Sequence, residues 1–325
     1  MLDFFGNIGG FIMTPLYYAI SFVLKGFHTV FGDVFGPASG VAWVLSIIGL
    51  TLLIRAALIP LFVKQIKSSR NMQLIQPKVK ELQKKYGHDR ERLAQETMKL
   101  YKDTGTNPFA SCLPIILQMP IFLALFRLID QAVKHPEDPR GVMTVTLNEQ
   151  FRDATFLGAK ISDTFMSTQD NSVRLLAAVL VISMTATTFL TQRQLMSKNM
   201  PADALTGPYA QQQKMLLYVL PLVFAVGGIA FPIGVLFYWT TSNLWTMGQQ
   251  FYVIRNNPAP GTPAFKAKED RVKAKAARKG LTVEVPASED SAAPESAEDE
   301  RPAPRVQPKR QTKAQRQAKK KQQGN

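Results

Sequence analysis

Arg55 is the only charged residue between Val41 and Val63, inside the stretch SIIGLTLLIRAALIPLFVKQ (residues 46–65). A guanidinium carries five N–H donors and stays protonated, so within an apolar segment it must be met by an anion, by polar groups or by water. The other apolar segments offer it no carboxylate: Arg127 and Asp130 stand near the end of one of them and can pair with each other. They do offer uncharged polar groups, namely Gln118, then Ser183, Thr185, Thr187, Thr188 and Gln192, then Thr240, Thr241, Ser242 and Asn243. Thr51 precedes Arg55 by four residues and so shares its helix face. Singly, such hydroxyls most simply bond to the preceding turn of their own helix. Gathered around an unpaired cation, they make a positive, hydrated recess whose chemistry is electrostatic attraction of acidic and polar groups. Covalent chemistry is poorly served, because the apolar segments hold no His, no pair of acids, no HExxH and no GxSxG, and the chain has no Walker-type glycine loop.

The elements that must position these groups are long apolar runs. Windows of about 17 or more mostly apolar residues fall at 41–63, interrupted by Arg55, and at 108–126, 175–192, 215–231 and 233–254. This gives five spans, with a tight turn at Pro232 joining the last two as a hairpin. Nine residues of helix, about 13 Å, separate Arg55 from Lys64, beyond comfortable snorkelling. A further apolar stretch, 4–24, contains Gly6, Gly9, Gly10 and Pro15 and runs into Lys25 and His28. It is either a sixth span or, the favoured reading, an amphipathic helix over its helical part, 15–31, lying in the membrane interface. Asp3 and the lack of an early basic residue argue against a cleaved signal peptide. The single Cys112 cannot form an internal disulfide and leaves the redox compartment open.

The net charge of +15 is unevenly shared. Residues 64–107 carry eleven Lys and Arg against five Asp and Glu, residues 193–214 three against one, and residues 255–325 seventeen against nine. Residues 1–40 carry one against two, and 134–172 four against six. Basic segments stay in the cytoplasm, so the alternation predicts an outer N-terminus, an extracytoplasmic loop at 134–172 and a cytoplasmic C-terminus.

Within 64–107, apolar residues recur with helical spacing at Leu74, Ile75, Val79 and Leu82, then at Leu93, Thr97, Met98 and Leu100. Pro77 should kink or break the first helix, Gly87 stop it, and Asp89 start the second. The segment thus reads as an antiparallel helical hairpin, either a solvated linker or a docking device. From Asn256 onward aromatics nearly vanish, and the composition reads as a disordered basic tail. Its cationic ends suit ribosomal RNA or anionic lipid, or serve only to fix topology.

Taken together, TLLIRAALIPLFVKQ, QPKVKELQKKYGHDRERLAQETMKLYKDTGTNPFASCLPIILQMPIFLALF and FPIGVLFYWTTSNLWTMGQQ resemble the YidC family of membrane protein insertases, with its mitochondrial oxidase-assembly and chloroplast Albino relatives. The resemblance covers about residues 14–254. Its specific pieces, in order, are the arginine span, the hairpin, an NP-x-x-x-C-x-P-x-x-x-Q-x-P-x-F entry and a P-x-G-x-x-x-Y-W-x-x-S-N closing helix. It is nearest to short actinobacterial forms, without the large periplasmic domain of Gram-negative members or the lipobox cysteine of some Gram-positive ones.

That resemblance implies an all-α polytopic membrane helical bundle: five core transmembrane helices, a cytoplasmic helical hairpin, an N-terminal interfacial amphipathic helix, and a groove open to cytoplasm and lipid. It implies a non-enzymatic insertase and chaperone of the bacterial plasma membrane that needs no cofactor or small-molecule substrate. The implied partners are nascent membrane proteins and the Sec translocon, besides the ribosome or anionic lipid at the tail. Matched residue by residue, Arg55 corresponds to the groove arginine, Thr51 and Trp239 to the substrate slide, and Gln192 to the polar residue ending the third span. Gln118 matches a family glutamine. The bland alternatives are a core aromatic for Trp239 and self-bonded hydroxyls elsewhere. An ion channel or secondary transporter is the other reading, since intramembrane arginines also serve ion paths, although no internal repeat of the transporter kind is visible.

Overall fold

A computed structural model describes residues 2–106, 113–200 and 208–279, and not the side chains of residues 2–12 or of scattered positions in 67–76, 113–115 and 208–216. The Asn107–Cys112 part of the entry motif and the tail beyond Lys279 lie outside the described residues. Eleven helices and one two-stranded hairpin are found among them.

The first helix, α1 (Leu2–Phe35), is longer than the 15–31 expected and carries Pro15 within it. Tyr17, Ile20, Ser21, Leu24 and His28 form its buried stripe, at helical spacing. Tyr18, Phe22, Val30 and Val34 face outward. The stripe packs on α2 (Gly40–Ala57) and α6 (Leu113–Lys134).

Ser39 caps α2 by accepting from the Val41 amide at 3.2 Å. The 41–63 run is not one span: α2 ends at Ala57 and α3 (Ile59–Leu74) begins after Leu58. Pro60 explains the break, because it has no N–H to give and its ring collides with the carbonyl four residues back. Arg55 therefore sits in the last turn of α2 rather than midway along a continuous helix.

Next, α3 gives way at Ile75 to α4 (Gln76–Tyr86), which has Pro77 in its first turn, and α4 packs on α5 (Arg90–Asp103). Asp89 caps α5 by accepting from the Arg92 amide at 3.0 Å. Ile75 and Val79 are buried, whereas Met98 is exposed.

From the 108–126 window α6 runs on past Phe126 to Lys134, because the charged residues there extend the helix instead of ending it. Asp130 pairs with Lys134 at 2.7 Å, one turn along, and not with Arg127 as expected. The remaining long helices are α8 (Asn171–Asn199), α9 (Pro208–Gly228) and α10 (Ile233–Asn256). Of the described helices, Gly40–Ala57, Ile116–Lys134 and Asn171–Asn199 are long and apolar enough to cross a membrane, and Leu217–Gly228 is a shorter apolar helix. With 24 residues α10 has the length but lacks the apolarity, because Thr240, Thr241, Ser242, Asn243, Gln249 and Gln250 lie within it.

Most of the segment 134–172, read from sequence as a loop, is folded onto the bundle, from 135 to 170. Here α7 (Val145–Asp153) is capped by Thr144, and β1 (Thr155–Phe156) pairs antiparallel with β2 (Ala159–Lys160). The connecting Leu157 and Gly158 both have positive φ, 52° and 79°, the geometry of a two-residue primed turn. Phe151, Ala154, Ala159 and Ile161 are buried, and Phe151 meets the Trp43 ring edge-on at 5.2 Å. Gly141 is required twice over: its φ is +65°, and a Cβ there would strike the Tyr17 carbonyl. The first amides of α10 would otherwise be orphan donors. Instead Ile233 N–H donates to Asp163 O at 3.0 Å and Gly234 N–H to Ile161 O at 2.9 Å. At the rim, Arg152 beside Asp153, with Lys160 also near, holds the Asp153 carboxyl below the usual carboxylate range.

The chain past Asn256 is not irregular at once. It forms α11 (Pro263–Ala277), capped by Thr262 and lying against α8 and α10. The composition misled because lack of aromatics excludes a core of its own but not an Ala/Lys helix, which a Thr-Pro start favours.

Truncating Phe151 to Ala removes the cap's central ring, so it should cost about 3 kcal/mol of stability. A thermal-unfolding scan in detergent micelles would show this as a lowered midpoint, whereas Leu157→Ala, at an exposed tip, should change little.

Candidate functional site

The C-terminal turn of α2 and the middle of α10 meet at Arg55 and Ser242. The Arg55 guanidinium donates to the Ser242 hydroxyl, and its Cζ lies 5.8 Å from the centre of the Phe62 ring on α3. Ser242 is buried. Among the described residues no carboxylate pairs with Arg55; the ion pairs present join Lys134, His135, Arg152 and Lys160 to acids. Arg55 lies in the last turn of α2, where the negative end of the helix dipole favours a cation.

One turn before Ser242 on the same α10 face is Tyr238, buried, whose hydroxyl accepts from the Gln118 side-chain amide on α6. One turn after it, the Thr246 hydroxyl donates to the Ser242 carbonyl at 2.9 Å. Tyr238, Ser242 and Thr246 therefore form a polar rail on α10 that ties α2 and α6 together. On its neighbouring face, Asn243 reaches α8: its amide donates to Thr188 Oγ1 at 3.1 Å and to Met184 O at 3.4 Å.

The five sequence-predicted residues fall into different surroundings. Arg55 and Gln118 both join the α10 rail. Thr51, though on the Arg55 face, is buried with its hydroxyl given to Ile47 O at 2.7 Å, the self-bonded arrangement. Gln192, half-buried on α8, lies one turn beyond Thr188 and so belongs to the α8–α10 seam. Trp239, also half-buried, points into an aromatic cluster with Phe122, Phe224 and Phe231, at centroid separations of 5.2, 4.9 and 5.8 Å. It thereby joins α6, the end of α9 and α10.

Ser242 and Tyr238 are the partners that sequence reasoning did not single out. Both are letters of the closing-helix motif, and Ser242 also stands among the uncharged polar groups, but neither was given a role of its own. Their spacing of four in FYWTTSN is the signal that could have found them, since it puts both on the face that meets Arg55 and Gln118.

A hydrogen bond from a charged donor contributes about 1.5–3 kcal/mol, against about 2.5–3.5 kcal/mol for an arginine at the centre of a membrane helix. One hydroxyl thus offsets most of the cost but leaves most of the guanidinium's donors to other acceptors. Among the described residues no group of three His, Cys, Asp or Glu could hold a metal ion.

The model for the family described as 60Kd inner membrane protein matches residues 34–260. A membrane protein insertase YidC of Streptomyces avermitilis is 45% identical over 290 residues, covering 86% of this chain and 66% of its own length. The chain thus spans slightly less than two thirds of that relative. A membrane protein insertase YidC of Tropheryma whipplei strain Twist is 38% identical over 288 residues, covering 84% of this chain and 91% of its own. The fold overlaps with a solved chain described as "Active YidC insertase crystal structure with the first transmembrane domain resolved" at TM-score 0.47 and 22% identity, over 72% of this chain and 46% of that one. That overlap is too partial to bear on function.

The Arg55–Ser242 pair should be energetically coupled. In a double-mutant cycle with Arg55→Ala and Ser242→Ala, unfolding in mild detergent should give an interaction energy of about 1–2 kcal/mol, whereas Arg55→Ala with Thr51→Ala should be close to additive.

Proposed function

Because the chain belongs to the 60Kd inner membrane protein family, we propose that it is a membrane protein insertase, receiving nascent membrane proteins from the cytoplasm and releasing them sideways into lipid. The observation that carries this reading is Arg55: a cation turned into a helical bundle, held by a serine hydroxyl and an aromatic ring, with no carboxylate paired to it among the described residues. Such a group is poised for an acid that arrives from elsewhere.

The proposed architecture has five spans, α2, α6, α8, α9 and α10, with the α7 cap outside and the α4–α5 hairpin and α11 in the cytoplasm. The charge distribution of the intervening segments supports it. A hydrated groove would run between α2 and α10 and open toward cytoplasm and lipid. In it Arg55 attracts acidic parts of a client; at 4 Å and an effective dielectric of 20 the pair gains about 4 kcal/mol before desolvation. Gln118 and Gln192 supply neutral hydrogen bonds, Trp239 an aromatic surface for an apolar client helix, and Thr51 the packing that fixes the Arg55 face. No residue is catalytic. Burial of the client's apolar span in lipid drives release, helped by the membrane potential on charges that cross, about 2.3 kcal/mol per charge per 100 mV. The insertase works alone or beside the Sec translocon and also acts as a chaperone. Its basic tail beyond Lys279 engages the ribosome through phosphate contacts.

Arg55→Ala should leave the protein in the membrane but reduce insertion of a client with an acidic external segment by about tenfold, the equivalent of ~1.4 kcal/mol, in a reconstituted protease-protection assay. Arg55→Lys should retain most activity, because charge outweighs the fork geometry here. Equal insertion by the alanine variant removes the electrostatic role. Deleting residues 280–325 should weaken co-sedimentation with ribosomes at low salt while leaving insertion of ribosome-independent clients intact.

A further inference from the structure

Asn256, the end of α10, and Asn199, the end of α8, come to the same end of the bundle, because a single short segment is fixed to both. The Ala259 amide donates to Asn199 Oδ1 at 2.9 Å, and the Arg271 guanidinium donates to the Arg255 carbonyl at 2.7 Å. Between these two ties Thr262 closes the turn, giving its hydroxyl to Ala259 O at 2.6 Å and capping α11 through the Phe265 amide at 3.3 Å. Only six residues, 257–262, separate α10 from α11. The helix is thus held at the mouth of the bundle and not carried away on a linker.

Its charge is unbalanced. Residues 263–279 hold seven cations, Lys266, Lys268, Arg271, Lys273, Lys275, Arg278 and Lys279, and two acids, Glu269 and Asp270. Among the described residues none of the seven is in an ion pair. Lys266, Lys273, Lys275, Arg278 and Lys279 are exposed, as are Arg193 and Lys198 at the end of α8 and Arg255 at the end of α10. Ala264 and Ala276 are buried against the bundle, and Val272 lies on the exposed surface.

We infer that α11 is a docking surface for anionic lipid headgroups, which it gathers around the ends of α8 and α10. Three features together point there. The cations are fixed beside the end of α8, a helix long and apolar enough to span the membrane. They are uncompensated within the described residues. A polybasic segment directly following a span is the arrangement that anionic leaflets attract, within about a Debye length of the surface. The inference rests on the reading of α8 and α10 as spans, but not on insertase activity, and it is tested without that activity.

The full chain carrying Cys112→Ser and Val272→Cys, labelled with a fluorophore at the new thiol, would be placed in nanodiscs that contain a trace of lipid bearing a nitroxide on its headgroup. With about 30% phosphatidylglycerol, quenching should be about twofold stronger than in phosphatidylcholine alone, and about 0.5 M salt should abolish the difference. Replacing Lys266, Lys273, Lys275, Arg278 and Lys279, five of the exposed cations, by Gln should also abolish it, while Arg271 is kept for its bond to the Arg255 carbonyl. A second label at Leu175, replaced by Cys on the exposed face of α8, reports on the span itself: quenching there by a nitroxide on the lipid chain shows that the protein is correctly inserted, so that a negative result at 272 cannot arise from lost spans. Equal quenching at 272 in both lipids, a signal indifferent to the five Gln substitutions, or one that appears only after ribosomes are added, overturns the inference.

Discussion

A guanidinium turned inward among apolar helices has to be met by something, and that requirement organises the bundle. Arg55 closes on Ser242, and Ser242 stands on the same α10 face as Tyr238, which accepts from Gln118. Three helices from distant parts of the sequence are joined through two side-chain hydrogen bonds at one level. Apolar packing alone gives lipid-exposed helices little reason to choose one partner over another, whereas polar contacts of this kind fix which faces meet. The price of that specificity is a cation with more donors than its protein partners can use.

The two ends of the molecule are built differently. At one end, residues 135–170 fold over the helices, supply carbonyls to the first amides of α10 and bury Phe151 against Trp43. Trp43 in turn stacks on His28 of α1 at 3.9 Å, so cap, first helix and second helix share one aromatic contact. At the other end, near the break at Leu58, stand Arg55, the start of α3 and, farther along, the α4–α5 pair. An assembly covered by ordered backbone at one end and carrying toward the other a cation that no carboxylate pairs with among the described residues suits the one-sided entry of polar chain that the proposed function requires.

Where the sequence was legible, it was so because apolar periodicity and capping chemistry are local. The segments 175–192 and 233–254 declared their helices by length, the 41–63 run declared helix but not its break, and Asp89 marked a helix start. Arg55 and Gln118 announced themselves as polar groups in apolar runs. What escaped was non-local or hidden in composition. The break before Ile59 followed from a single proline whose effect apolar counting ignores. The cap needs Phe151 and Ile161 to meet helices more than seventy residues away, which no local window reports. Thr51 and Arg55 share a face, yet the hydroxyl spends itself on Ile47 and only the guanidinium reaches across. Trp239 was legible as an aromatic but not as a member of the Phe122–Phe224–Phe231 cluster, because that grouping depends on how α6, α9 and α10 are brought together.

The central claim is that water reaches Arg55 from the cytoplasmic side while the bundle holds it. The most direct measurement replaces Ser242 by Cys in a Cys112→Ser background and follows its reaction with a small charged thiol reagent in sealed, oriented membrane vesicles. The account predicts rapid labelling when the reagent is on the cytoplasmic face, slow labelling from the other face, and slower labelling still for Cys at buried Ile47. A thiol at 242 that is as unreactive as one at 47 from both faces would mean a dry, closed contact, and would contradict the account.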